Sequence, residues 1–390
     1  MLLLKTALQS LIGNGLKTWL TVFVLSMAIV MIIIMQGILH GWSQQAIDDA
    51  QRWELGAGQY WCEGYDPWDP FSLDSGTAVI PEAFQEQVNQ RRLEPVLIVQ
   101  ATVYPEGRMQ GVMLRGIRPD QQLLELPSSA LQGDTTGAVP VVVGAYMARQ
   151  LKIKINDEMI LRWRDKNGAF EAVDIRIAGI FKTSVPSIDN GVLWIDLHRL
   201  QGMTMRQGEA NYLVKAEEAE QVNVAEWEFK SIEKLMESTL LLVKTKSVGT
   251  SVFYIIFLLL AMLAIFDTQT LAIFRRQREI GTMVALGMTR AQVVMHFTIE
   301  GTLYAFLAIV VGAIWGSPLI WYLAKVGISF PMEAADFGVP MADVMYAVVT
   351  PGLVLGTVVF VFVVTAIVSY LPARKIATMN PTEAIRGKVM

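Results

Sequence analysis

Four stretches of this chain hold almost no charge over twenty or more residues, while the rest mixes polar and apolar positions as water-soluble segments do. A bilayer core of about 30 Å takes roughly 20 apolar helical residues to cross. Residues 18–39, 252–272, 293–323 and 344–371 meet that demand and are predicted to be transmembrane helices. The first is uncharged throughout and flanked by Trp19 and Trp42, whose rings suit the two membrane interfaces. A signal peptide would have an apolar core of about 7 to 15 residues and a small-residue cleavage site. This segment is longer and runs into His40, Gly41 and Trp42, so an uncleaved helix is expected. Pro318 and Pro351 fall near one predicted side of the membrane, where each marks a kink or a helix start.

Residues 40–247 are left as one extracytoplasmic domain. Runs at 95–104, 111–117, 139–144, 158–163 and 170–181 cluster or alternate β-branched residues between Gly, Pro and Asn breaks, and predict strands. Helical spacing at 145–151 and 217–236 predicts helices. The expected fold class is thus an α-helical membrane protein with four transmembrane helices plus a large mixed α+β external domain. The remaining segments are an N-terminal stretch 1–17, loops 273–292 and 324–343, and a tail 372–390.

Charge sets the orientation, because Lys and Arg near span ends mark the cytoplasmic side. Lys5 and Lys17 precede span one, Arg275, Arg276, Arg278 and Arg290 lie between spans two and three, and Arg374, Lys375, Arg386 and Lys388 follow span four. Both termini and the middle loop are therefore expected in the cytoplasm. Loop 324–343 sets Lys325 against Glu333, Asp336 and Asp343, as suits the outside; Lys244 and Lys246 are the contrary signal. Residues 40–247 contain 21 basic and 29 acidic side chains, a net of −8.

Composition agrees. Hydrophobic residues make up 53% of the chain and charged ones only 17%, against about 25% in an average soluble domain. A net charge of −4 argues against a nucleic-acid binder. One cysteine, Cys62, excludes a disulfide framework or a Cys-based metal cluster. There is no P-loop, no H-E-x-x-H and no G-x-S-x-G, and His40, His198 and His296 are scattered, so no bound cofactor, no metal and no catalytic residue is expected.

Two carboxylates stand at membrane depth, Asp267 near the end of span two and Glu300 about two turns into span three. Such charges are costly and suggest function; a partner or water at the nearby boundary is the plainer explanation. Gly312/Gly316 and Gly352/Gly356 permit close helix packing. Trp53, Tyr60, Trp61, Tyr65 and Trp68 form an aromatic cluster that reads as domain core or a membrane-proximal belt, ahead of a site for a lipid or protein partner.

Between spans two and three, Gln277–Leu286 is a good helix sequence with Ile280, Met283, Val284 and Leu286 apolar, and Gly287 where a helix would end. It predicts either a helix lying flat under the membrane or a knob for a cytoplasmic partner. The run Arg275-Arg276-Gln277-Arg278-Glu279-Ile280-Gly281, followed by Ala285-Leu286-Gly287-Met288-Thr289-Arg290, resembles the signature of the MacB/FtsX/Lol-type permease superfamily of ABC transporters. A second likeness lies in the tail, at Pro372-Ala373-Arg374-Lys375 and Asn380-Pro381-Thr382-Glu383-Ala384-Ile385-Arg386. Stretches of the external segment resemble the family's MacB-like periplasmic core domain, most closely that of lipoprotein-releasing members.

The resemblance implies a non-catalytic permease subunit in a bacterial inner membrane, with the large domain periplasmic. ATP and magnesium would be used by a separate ABC ATPase dimer, and a second permease, identical or related, would complete the complex. External domains would move while the substrate, a lipoprotein or another hydrophobic envelope molecule, stays outside the inner bilayer, with membrane lipid around the helices. It further implies that Arg275, Arg276, Arg278, Glu279, Gly281, Leu286 and Gly287 contact the ATPase, and that Pro372, Arg374, Asn380, Pro381, Glu383 and Arg386 shape the same surface. The alternatives are export of peptides, toxins or antibiotics with a periplasmic adaptor, regulation of a cell-wall hydrolase, and a membrane receptor.

Overall fold

Among the described residues, four helices are long and apolar enough to cross a membrane. The computed structural model describes residues 16–133, 137–329 and 344–374. The described residues divide into a helical unit, 16–42, 243–328 and 344–374, and a sheet unit, 43–133, 137–242 and 329.

Helix α1 (Leu16–Ala50) runs 35 residues, about 52 Å at 1.5 Å each, its residues to 42 in the helical unit and those from 43 in the sheet unit. Its buried positions Val22, Leu25, Ile29 and Ile33 recur every three or four residues and make one stripe. That stripe shares a core with Leu258, Ala261 and Ile265, with Tyr304, Ala305 and Ala308, and with Val361 and Val368. Leu20, Phe23, Met27, Met31 and Met35 are exposed, as side chains facing lipid tails would be. In lipid there is no aqueous driving force between helices, so close packing at small residues carries the association. A Cβ on Gly316 would sit 2.6 Å from Val30, and one on Gly312 would touch Val30 and Ser26, so this glycine pair does admit α1. Gly352 and Gly356 behave otherwise. A Cβ on either would meet no other element within 4 Å, and both line a cavity of about 420 Å³ between α1 and the second and fourth membrane helices.

The fourth span corrects the expectation of a helix from residue 344. Its helix is Pro351–Arg374, and residues 344–350 include only a two-residue strand, Val344–Met345. Pro351 lacks an N–H and disfavours helix in the residue before it, which makes it a natural first helical residue. The preceding segment lies along α1, where the Val348 N–H donates to the Gly37 carbonyl at 3.0 Å. A Cβ on Gly41 would stand 1.9 Å from the Tyr346 carbonyl oxygen. Gly37 and Gly41 are thus a second close-packed small-residue pair, one that hydropathy does not reveal because residues 344–350 are as apolar as the helix that follows.

The sheet unit holds strands β1 (Gln59–Cys62), β2 (Ala78–Val79), β3 (Leu93–Val103), β4 (Gln110–Ile117), β5 (Val139–Gly144), β6 (Glu158–Arg164), β7 (Phe170–Phe181), β8 (Val192–Asp196), β9 (Glu209–Ala210), β10 (Tyr212–Lys215) and β11 (Trp227–Lys230). Its helices are α2 (Ser72–Ser75), α3 (Glu82–Asn89), α4 (Ala145–Leu151), α5 (Pro186–Asp189), α6 (Leu197–Thr204) and α7 (Ile232–Leu235). Nine strands pair in the order β11-β1-β10-β3-β4-β8-β5-β7-β6, and β6 returns to pair with β3. Six strands therefore close into a ring, β4 with β8 and β5 with β7 being parallel. Alternation along the strands divides the apolar residues between two cores. Leu97, Val99, Leu114, Val141, Leu161, Ile177 and Leu193 fill the ring with Met147 from α4 and Leu200 from α6. Ile98, Trp194, Tyr212 and Leu213 pack on the other side with Phe84 of α3 and with β1 and β11.

Residues 217–236 are not the expected helix. They hold β11 and the single turn α7, because Val222, Val224, Trp227 and Phe229 follow a strand-like rather than a helical spacing, and Trp227 and Phe229 pair with Cys62 and Tyr60. A long helix, α8 (Glu237–Arg275), follows. At the edge of the ring Glu94, 1% exposed in its side chain, meets Arg118 at 2.5 Å.

Two substitutions test this packing. Gly41→Ala forces a methyl into backbone and is expected to cost about 1–3 kcal/mol, read as a lower midpoint in thermal unfolding of the detergent-extracted chain. Gly356→Ala, facing open space, should leave the midpoint unchanged. In the sheet unit, Arg118→Ala strands the Glu94 carboxylate and should destabilise by about 3–5 kcal/mol, measurable by denaturant titration.

Candidate functional site

Helix α8 ends at Arg275. After Arg276, α9 (Gln277–Ala285) forms a short separate helix, and α10 (Arg290–Val326) begins behind a Thr289/Gln292 capping box. Arg276 has a non-helical backbone, φ −103° and ψ 17°, and Gly287 takes φ +101°, which a side chain would resist. These two residues set the corners that turn α9 away from its neighbours. The fourth membrane helix, Pro351–Arg374, becomes α11.

One side of α9 is buried. Ile280 packs with Ile273, Val293, Val294, Phe297 and Ala373, and Met283 and Val284 press against the same cluster. Gly281 is buried beside Ile280. Polar contacts fix this seat. The Arg276 Nε donates to Glu279 at 2.7 Å, and its Nη1 donates to both Glu300 oxygens at 3.2 and 3.1 Å. The guanidinium also lies over the Phe297 ring, 5.2 Å from its centroid. Burial works against the Arg276 charge, yet the two carboxylates hold its pKa above the ordinary value. Glu300 is only 1% exposed, a depth at which an unpaired carboxylate would be prohibitive.

The other side faces outward. Arg275, Arg278 and Glu279 are exposed, and Leu286 is 87% exposed just past the end of the helix. The residues expected at an ATPase contact thus divide into two sets. Arg276 and Gly281 turn inward and hold α9 in place, whereas Arg275, Arg278, Leu286 and Gly287 are presented to solvent, with Glu279 linking the two. In the tail, Pro372 is buried and Arg374 exposed, and Ala373 joins the cluster under α9. Asn380, Pro381, Glu383 and Arg386 lie outside the described residues.

The two membrane carboxylates have unlike surroundings: Asp267 is exposed on α8 while Glu300 is buried. Sequence reading placed Arg276 and Glu300 in separate groups. The signal that joins them was present, since a carboxylate at membrane depth demands a partner and the nearest basic cluster lies one loop upstream. The aromatic cluster is likewise divided. Tyr60 and Tyr65 are core residues and Trp53 stacks on Phe181, while Trp68 is 80% exposed. Among the described residues, no group of three His, Cys, Asp or Glu side chains is placed to hold a metal ion.

Four membrane-length helices, a separate sheet unit and a short, seated helix between the second and third spans define a multi-pass membrane protein. Residues 251–381 match the family model for the FtsX-like permease C-terminal region, and residues 18–232 match that for the MacB-like periplasmic core domain. The chain belongs to the MacB/FtsX-type permease family of ABC transporters.

Relatives agree. An ABC transporter permease of Methanocaldococcus jannaschii, MJ1507, is 24% identical over 63% of this chain and 62% of its own length. The lipoprotein-releasing system transmembrane protein LolC of Xylella fastidiosa is 21% identical over 72% of this chain and 74% of its own. The macrolide export ATP-binding/permease protein MacB of Campylobacter jejuni is 23% identical over 36% of this chain and 20% of its own.

If Glu300 seats α9, Glu300→Gln should raise amide hydrogen exchange across 277–286, while Asp267→Asn should leave it unchanged. Exchange mass spectrometry of the purified chain reads both.

Proposed function

We propose that this chain is the non-catalytic permease subunit of an ABC complex in a bacterial inner membrane, with both termini cytoplasmic and the sheet domain periplasmic. ATP and magnesium are used by a separate ATPase dimer, and a second permease subunit completes the assembly. The observation that carries this reading is the division of α9 into a locked inner side and an outer side bearing Arg275, Arg278 and Leu286. A helix must be held stiffly to pass on a push. An exposed leucine on the same side as exposed arginines offers a partner both apolar area to take out of water and the guanidinium groups that interfaces favour.

We further propose that the substrate is a lipoprotein or another hydrophobic envelope molecule, acted on from the periplasmic side. What supports this is the extent of the LolC match, which spans both the helices and the external domain, whereas the MacB match spans about a third of the chain. In this reading the arginines and Leu286 receive the movement of the ATPase, α9 passes it to α8 and α10, and the external domain does the work.

Copurification tests it. The chain extracted in mild detergent should bring down an ABC ATPase. Leu286→Asp should reduce the recovered ATPase at least about tenfold, the ~1.4 kcal/mol expected of a lost anchor. Asp267→Asn should have no effect. Absence of any ATPase in the wild-type eluate would remove the proposal.

A further inference from the structure

The C-terminal end of α1 is bound into the sheet unit by a group of contacts that helix packing alone does not require. After Ala50 the chain makes one turn of π-helix, Gln51–Leu55, closed by the Gly56 N–H on the Gln51 carbonyl at 2.9 Å. In α geometry, residues five apart lie about 140° from each other around the axis. The wider π turn, in which residue i bonds i+5, brings them toward one side. Asp49 and Glu54 are five apart, and both carboxylates reach the same short segment: Asp49 accepts from the Ser184 hydroxyl in the loop before α5 and Glu54 from the Ser187 hydroxyl in α5.

Glu54 has a second contact. Its other oxygen accepts from Arg115 Nη1 at 3.0 Å, with side chains only 17% and 13% exposed. Arg115 belongs to β4, in the wall of the closed ring, and its guanidinium lies 5.5 Å from the Trp194 ring on β8. Trp53, on the same turn, stacks on Phe181 at the end of β7, with centroids 5.6 Å apart. The serine segment is tied in turn to the ring: Asp189 accepts from the Tyr146 N–H at 3.0 Å at the start of α4, and Trp194 Nε1 donates to the Ile188 carbonyl at 3.3 Å. A carboxylate shared between a half-buried arginine and a hydroxyl, on a helix end reshaped to present it, is a device for holding residues 49–55 against the ring inside the sheet unit. Burial of Ala50 and Leu55 alone would hold a helix end loosely.

We propose that Asp49 and Glu54, with Ser184, Ser187 and Arg115, form a rigid joint that makes the end of α1 and the closed ring one body, Glu54 being the positioning residue. The consequence for work by the external domain rests on the coupling reading above. The rigidity of the joint does not.

The test is pulsed electron spin resonance on the full chain in lipid nanodiscs, in a Cys62→Ser background, with labels replacing the exposed residues Gln44 and Ile155. Without nucleotide or ATPase, the unsubstituted joint should give one narrow distance distribution. Glu54→Gln should broaden it while near-ultraviolet dichroism stays native; a merely stabilising contact would lower the melting point and leave the width alone. Should Glu54→Gln fail to fold, the paired change Ser184→Ala and Ser187→Ala, which spares the Arg115 ion pair, is expected to broaden it instead. A folded variant with an unbroadened distribution overturns the joint. In a second arm, with copurified ATPase trapped by ATP and vanadate, the unsubstituted distance should match that without nucleotide, and a change between the two states overturns it as well. Failure to recover an ATPase would count against the coupling reading only, since the first arm needs none.

Discussion

A charge buried at membrane depth must be paired, and in this protein the pairing of Glu300 with Arg276 decides how α9 is held. Arg276 sits at the corner between α8 and α9, so its ion pair with α10 joins three helices at one point. Ile280 and its neighbours then seal the seat from below. Without the pair, α9 would be held by the Ile280 cluster alone, and its outer residues would have no fixed direction.

The remaining helices obey a related rule. Lipid tails are as apolar as leucine, so helices associate where backbones can approach. Gly312 and Gly316 let α1 approach α10, and Gly37 and Gly41 let an extended segment lie against α1. Gly352 and Gly356 border a cavity instead. Identical spacing thus serves three surroundings, and which one holds depends on what the partner helix presents.

Much of the fold was legible before any coordinates. Strands at 139–144 and 170–181 stand where β-branched runs between breakers placed them. The illegible parts share a cause, namely that they depend on a distant partner. The start of α11 is set by Pro351 and by the groove at Gly37 and Gly41, while hydropathy alone runs on smoothly from residue 344. The stretch 217–236 carries enough charge to look like a solvated helix, yet Trp227 and Phe229 are claimed by β1. Closure of the ring rests on β3 pairing with β6, some sixty residues away, which no local pattern announces. At the candidate site, motif spacing picks out α9 but does not distinguish residues that hold it from residues it presents.

The account stands on α9 meeting an ATPase with the side that carries Leu286. The most direct measurement is site-specific crosslinking in intact membranes, with single cysteines at positions 286, 278, 283 and 267 and a short bifunctional reagent. The account predicts ATPase adducts from 286 and 278 and none from 283, which is packed inward, or from 267, which lies in the span. Adducts absent from 286 and 278, or equally strong from 267, would contradict it.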